Sequence, residues 1–259
     1  MKNLIVILFA ALTIGLISCG KKKDNSPAIP KGYFVKTIEL TFPGGSIIRS
    51  ASFGYDDNNR IKNFEFNANG VIYQVVYTYN EHGLIVRADQ DQIFTSSGRR
   101  FGKIFEFIYD GDVLIEHKEN DLSYPVTYNA AENSYSDLYR TYYWDANNNL
   151  KKVKFLSHIE VEINYLSVKG VFDLDRPQMA LAIFMSNVAR AVDLRNPVSM
   201  DLYAFGTKEI GNVKEDDIKM HYFASTRDDN GNITKTEVSN VDGDVTRRYS
   251  YTYELREIK

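Results

Sequence analysis

Apolar residues along this chain recur at every second position, over runs long enough to make strands. From Val71 to Tyr79 the odd positions Val71, Tyr73, Val75, Tyr77 and Tyr79 form one face. Phe101, Phe105, Phe107 and Tyr109 repeat the pattern, as do Ile159, Val161, Ile163 and Tyr165 with Glu160 and Glu162 opposite. Tyr249, Tyr251, Tyr253 and Leu255 close the series. Alternation of this kind places one face on a core and the other in water, the habit of antiparallel sheets.

Between these runs a short unit returns: aromatic, any, aromatic, Asp or Asn, two residues, Gly or Asn, any, aliphatic. Copies begin at Phe53, Phe64, Tyr77 and Tyr142, a shortened one lies at Phe107–Val113, and Asp228–Ile233 keeps the turn half alone. Residues two apart on a strand share a face, so both aromatics lie on one side. The Asp or Asn accepts from backbone N–H groups ahead of it, and Gly or Asn takes the positive φ that reverses the chain. The unit predicts a β-hairpin with a short bulged turn. Its turn residues are Asp56, Asn59, Asn67, Gly70, Asn80, Gly83, Asp110, Gly111, Asp145, Asn149, Asp228 and Gly231. Their uneven spacing argues against a solenoid. The expected fold is all-β, a large antiparallel meander forming a curved sheet or an open barrel-like architecture. One short helix is expected near 177–192, started by Asp175 and Pro177, with Leu181, Phe184, Met185, Val188 and Val192 as its apolar stripe.

The first residues are of another kind. MKNLIVILFAALTIGLIS, residues 1–18, has a lysine, then an apolar run too short to span a bilayer comfortably. It ends at Leu16-Ile17-Ser18-Cys19, which resembles the lipobox of bacterial lipoproteins. The resemblance implies that Cys19 is acylated and becomes the mature N-terminus, with the lipid bilayer as partner. Cys19 is the chain's single cysteine, so no internal disulfide forms. Gly20 at the next position points to the outer membrane rather than the inner. Residues 19–31, polar and holding two prolines, read as a flexible tether, and 32–259 as one β domain.

Composition narrows the functions. The 259 residues carry 31 Lys and Arg against 34 Asp and Glu, so no basic surface favours nucleic acid. The 18 Tyr and 15 Phe against one Trp suit packed strands. His82, His117, His158 and His221 fall at no metal spacing, and Asp56-Asp57, Asp228-Asp229-Asn230 and Asp242-Gly243-Asp244 lack the distal ligands of a calcium loop. No nucleophile elbow, phosphate loop or dinucleotide fingerprint occurs, and no cofactor is expected. Glu65, Glu106, Glu160, Glu162 and Glu254 on the wet faces favour a tethered, water-exposed sheet over a true membrane barrel.

The hairpin unit resembles the YD repeat of Rhs-type and teneurin shells. The whole layout is similar to a family of uncharacterised lipoproteins of Bacteroides-type bacteria, a domain of unknown function with a porin-like fold, over Gly32–Lys259. That resemblance implies a fold and no activity. The expected function is a non-enzymatic envelope lipoprotein that binds a ligand or an envelope protein. A glycan-binding accessory role needs exposed rings in a groove. Glycoside hydrolysis needs two facing carboxylates.

Overall fold

The computed structural model describes residues 31–45, 47–68, 70–147, 149–155, 160–170, 208–215 and 219–258. The signal segment, Cys19, the tether and the expected helix at 177–192 lie outside them.

Seventeen strands build one antiparallel sheet. They are β1 (Lys31–Thr41), β2 (Ile47–Tyr55), β3 (Ile61–Ala68), β4 (Val71–Tyr79), β5 (Ile85–Phe94), β6 (Arg100–Asp110), β7 (Val113–Glu119), β8 (Leu122–Pro125) and β9 (Thr127–Asn129). Then come β10 (Ser134–Ser136), β11 (Arg140–Trp144), β12 (Leu150–Phe155), β13 (Glu160–Lys169), β14 (Lys208–Glu215), β15 (Lys219–Arg227), β16 (Ile233–Ser239) and β17 (Val245–Glu257). Sequential neighbours pair throughout, except at the step from β8 to β9.

Two features bend the meander into a nearly closed barrel. The first strand pairs with the last along its whole length, from Lys31 opposite Glu257 to Thr41 opposite Arg248. At the far side β8 and β9 form one stretch of chain that changes partner. Its first half pairs with β7, Val126 N–H donates to the Ile115 carbonyl at 2.8 Å, and its second half pairs with β10. At this seam neither β8 nor β9 carries a ladder on both sides.

Strand direction alternates, so every turn falls at one of two ends. One end, the closed end, holds the turns after β2, β4, β6, β11 and β15 together with Lys31 and Glu257. The other, the mouth, holds those after β1, β3, β5, β7, β10 and β16. One side chain in two points inward. Phe53, Phe64, Val75, Tyr77, Phe105, Tyr142, Val153, Val161 and Val213 all lie inward, and all are buried. The outward positions are mostly polar, with Val76, Ile104 and Tyr222 as exposed apolar exceptions, and several pairs directly opposite each other on neighbouring strands join across the ladder. Gln74 donates to Glu65 at 2.8 Å, Lys152 meets Glu162 at 3.3 Å and Arg248 meets Glu237 at 2.9 Å.

The recurring turn proves to be one device. Asp56 Oδ1 accepts the backbone N–H of Asn58 and of Arg60, both at 2.9 Å. Asn80 accepts from His82 and Leu84, Asp145 from Asn147 and Asn149, and Asp228 from Asn230 and Asn232. In the first, second and fourth copies the third residue after the Asp or Asn has positive φ: Asn59 at 62°, Gly83 at 78° and Gly231 at 81°. Each turn is followed by a β-bulge at the start of the return strand, with Lys62, Val86, Lys151 and Thr234 as the extra residues.

Three expected turn residues fall elsewhere. Asn67 is a strand residue opposite Ile72, and the chain reverses between Ala68 and Val71, which pair directly, with Gly70 at φ 78°. Asn-Gly alone suffices for a tight hairpin, which displaces the longer unit there. Asp110 is the last residue of β6, with Gly111-Asp112 as the turn. Asn149 closes its turn through its N–H and side chain to Asp145 and does not supply the positive φ. A further copy escaped the sequence pattern: Asn240 accepts from Asp242 and Asp244 around Gly243 at φ 86°.

Candidate functional site

At the closed end the second aromatic of the unit has a defined task. Tyr79 Oη donates to the carbonyl of Ile61, the first residue after the Asp56 turn, at 2.6 Å. Tyr109 does the same to Ile85 after the Asn80 turn, at 2.8 Å. Tyr165 reaches Leu150 after the Asp145 turn, and Tyr253 reaches Ile233 after the Asp228 turn. Tyr55 donates to Val35 near the chain's entry to the sheet. Each tyrosine thus binds the adjacent strand at its closed-end terminus, where a bulge has disturbed that strand's ladder on its other side. Burial pushes all five phenols up, so they stay protonated donors. Aliphatics fill the layer between them: Ile61, Ile85, Leu114, Leu150, Ile163 and Ile233. These turn residues are architectural. Asp56 Oδ2 is taken by Arg60 and Asp228 Oδ2 by Asn232, which leaves no carboxylate open for an ion. Burial raises the Asp56 carboxyl, but the Arg60 side chain and the donated N–H bonds outweigh it and hold the group below its ordinary value.

Toward the mouth the inner wall changes chemistry. The ladder registers place a polar and aromatic patch on β4 to β8. Tyr73 faces Gln92, Gln92 faces Phe101, and Gln90 faces Lys103. Phe105 faces Glu119, while Phe107 faces His117 and His117 faces Tyr124. Lys103 and Glu119 form an ion pair, and Gln92 Nε2 lies 3.4 Å from Tyr73 Oη. His117 is 4% exposed, its ring stacked on Tyr124 with centroids 4.9 Å apart. Its Nδ1 is buried and has no hydrogen-bond partner among the described residues. Burial lowers the imidazole's pKa and Arg140 lowers it further, while Asp137, Glu119 and Glu116 pull the other way, so the ring is held neutral.

Above this patch the β5–β6 hairpin rises past its neighbour, since the β7–β8 turn at Asn120 already bonds back to Ile104. The hairpin carries Phe94 and Phe101 edge to face at 5.7 Å, with the Arg99 guanidinium 5.2 Å from the Phe101 ring centre. Phe101 is 45% exposed although it shares a face with buried Phe105 and Phe107. The other mouth loops also end in apolar residues: Phe42, Leu122, Leu138, Tyr139 and Val241 are all exposed.

Elsewhere on the inner wall, Glu209 is tied to Arg227, and Glu215 to His221 at 3.9 Å. The Glu215 carboxyl is lowered by its bond to His221 against the effect of burial. Among the described residues no three His, Cys, Asp or Glu side chains converge as metal ligands. His82 lies exposed in a turn beside Glu81, and His158 falls outside the described residues.

No family model and no curated protein matches the chain. It is similar to a porin-like protein from Bacteroides uniformis ATCC 8492, 14% identical, over 85% of this chain and 98% of that one, with a TM-score of 0.35. It is also similar to a porin-like protein from Bacteroides vulgatus ATCC 8482, 10% identical, over 86% and 99%, with a TM-score of 0.42.

Proposed function

We propose that the protein is a lipid-anchored envelope barrel that acts by binding, without catalysis, and holds its mouth away from the bilayer. The observation that carries this reading is the direction of its polarity. A barrel that crosses a membrane turns an apolar band outward, and an Arg or Lys at the midplane of that band costs about 2–4 kcal/mol. Here the outer face bears Glu65, Arg87, Glu106, Lys152, Glu162, Glu237 and Arg248, several of them paired across strands. Most strand aromatics, Phe53, Phe64, Tyr77, Phe105 and Tyr142 among them, point inward, while Tyr143 and Tyr222 lie on the outer face. Exposed ion pairs of this kind contribute about 0–1 kcal/mol each, so they say little about stability and much about which face meets water.

Attachment then falls to the lipobox at Cys19. Lys31 enters the sheet at the closed end, so a tether from Cys19 brings that end to the membrane. The mouth lies roughly 35 Å away, the length of the 11-residue β1. The binding reading is favoured over hydrolysis because each inner carboxylate has a cation beside it: Glu119 has Lys103, Glu209 has Arg227 and Glu215 has His221.

The test is metabolic labelling with a palmitate analogue, followed by fractionation. The expected result is a labelled, membrane-bound protein, with Cys19→Ser unlabelled and soluble. A Cys19→Ser protein that stays embedded and resists carbonate extraction would sink the proposal, because strands would then be holding it in the bilayer.

A further inference from the structure

We infer that the mouth patch on β5 to β7 binds a neutral, polyhydroxylated ligand, a sugar chain, with Phe101 as the stacking surface and Gln90, Gln92, Lys103 and Glu119 as hydrogen-bonding groups above His117. The inference rests on the binding reading above and adds the ligand's chemistry.

Four observations converge. First, the patch sets amides into the inner wall, whereas Glu209 and Glu215 elsewhere on that wall are each matched to a basic side chain, Arg227 and His221. Gln90 is 6% exposed on the core face, a position that Val or Phe occupies in the same row of β3 and β4. A buried polar group persists in a core only where a partner satisfies it. Second, His117 leaves a buried Nδ1 without a partner among the described residues, which is costly unless water or ligand supplies one. That orphan marks the floor of the patch. Third, the charges cancel. Lys103 and Glu119 neutralise each other, and His117 is held neutral, so the charges within this stretch of wall cancel, with the Arg99 guanidinium beside the Phe101 ring lying outside that balance. An uncharged molecule with many hydroxyls fits such a wall, since amides, an ammonium and a carboxylate together donate and accept in several directions. Fourth, Phe101 presents a half-open ring beside these groups, fixed at its edge by Phe94. An apolar ring face next to planar polar side chains suits the two-sided surface of a pyranose, apolar on its C–H face and polar at its rim. The mouth points away from the expected anchor, which leaves the site open to a polymer outside the bilayer.

The experiment is a titration of the water-soluble chain that lacks the signal segment and the acylated cysteine, residues 20–259, followed by calorimetry and by amide NMR. The probes are neutral gluco-, manno- and xylo-oligosaccharides, the acidic oligogalacturonides, and phosphatidylglycerol vesicles. A neutral oligosaccharide is expected to bind. Phe101→Ala should weaken it about tenfold, the loss of roughly 1.4 kcal/mol, and Gln90→Leu should weaken it while keeping the fold. Tyr33→Ala at the closed end should change nothing. Binding by the acidic sugars alone, by vesicles alone, or by no probe at millimolar concentration would overturn the inference. So would binding that Phe101→Ala leaves intact. Palmitate labelling reads the anchoring proposal separately, so either can fail without the other.

Discussion

The closed end and the mouth are built on the same strands, yet they obey different rules. At the closed end the turns tip polar residues into water: Asp57, Asn58, Glu81, His82, Asp229 and Asn230. Directly beneath them lie tyrosines bound to carbonyls and a layer of buried aliphatics. The exposed apolar residues of that end sit on strand tails, at Tyr33, Leu255 and Ile258 and at Leu166 and Val168. At the mouth the order inverts, with apolar loop tips above an inner wall of amides, ion pairs and a histidine. A single strand shows the change. Along β6 one face reads Phe101, Lys103, Phe105, Phe107 and Tyr109, from half-exposed ring to charge to core to hydrogen-bonded phenol. A scaffold that only had to persist would gain by carrying the closed-end chemistry to both ends. The departure at the mouth is therefore where binding is to be sought.

The sharpest break in the comparison lies within that strand. Phe107→Ala removes a ring that is 3% exposed and should cost about 3–5 kcal/mol in urea denaturation. Phe101→Ala, six residues nearer the mouth on the same face, should cost under about 1 kcal/mol. If both cost the same, the mouth is core and the contrast disappears.

Next in size is the turn. Asn80→Ala withdraws the oxygen that accepts from both His82 and Leu84, the same kind of bond as a helix cap, and should cost about 1–2 kcal/mol. Gly83→Ala should cost about 1 kcal/mol through its φ of 78°. Tyr79→Phe leaves the Ile61 carbonyl without its donor and should cost about 1 kcal/mol. Equivalent changes at exposed Tyr139 in the mouth should be silent.

The alternation of residues and the Asp or Asn turn chemistry were legible because both are local. Period two and an acceptor four residues from its donor lie within one short window of sequence. The copy at Asn240 was hidden because Glu237 and Ser239 stand where the pattern asked for aromatics, although the turn itself needs only residues 240–244. The tyrosine bonds were not legible, since they join residues 15 to 24 apart with no intervening signal. Closure by β1 and β17 joins positions some 200 apart and depends on the summed twist of the whole sheet. The mouth left one sign in the sequence. Lys103 interrupts the apolar face of Phe101, Phe105 and Phe107, and a charge on a core face marks either a partner or an opening. Here it marks both.

The smallest expected effect concerns pH and the seam. His117 packs on Tyr124, whose strand changes partners two residues later, and the groups around the imidazole are Asp137, Glu119, Glu116 and Arg140. Its folded pKa is lowered, so the folded state binds fewer protons than the unfolded state once pH falls below the unfolded value of about 6.5. Stability should therefore be complete above that pH and decline below it, until the depressed folded pKa is reached. The Glu215 carboxyl, also lowered, adds its own loss only at more acid pH, below the ordinary carboxylate range. The two declines separate on the pH axis, and His117→Gln should remove the first and keep the second. Hydrogen exchange should show protection falling first at Val126 and its neighbours and last at the closed end. A mild-acid decline that is uniform around the ring, or that survives His117→Gln, would mean that the seam is as firm as the layer of tyrosines opposite it.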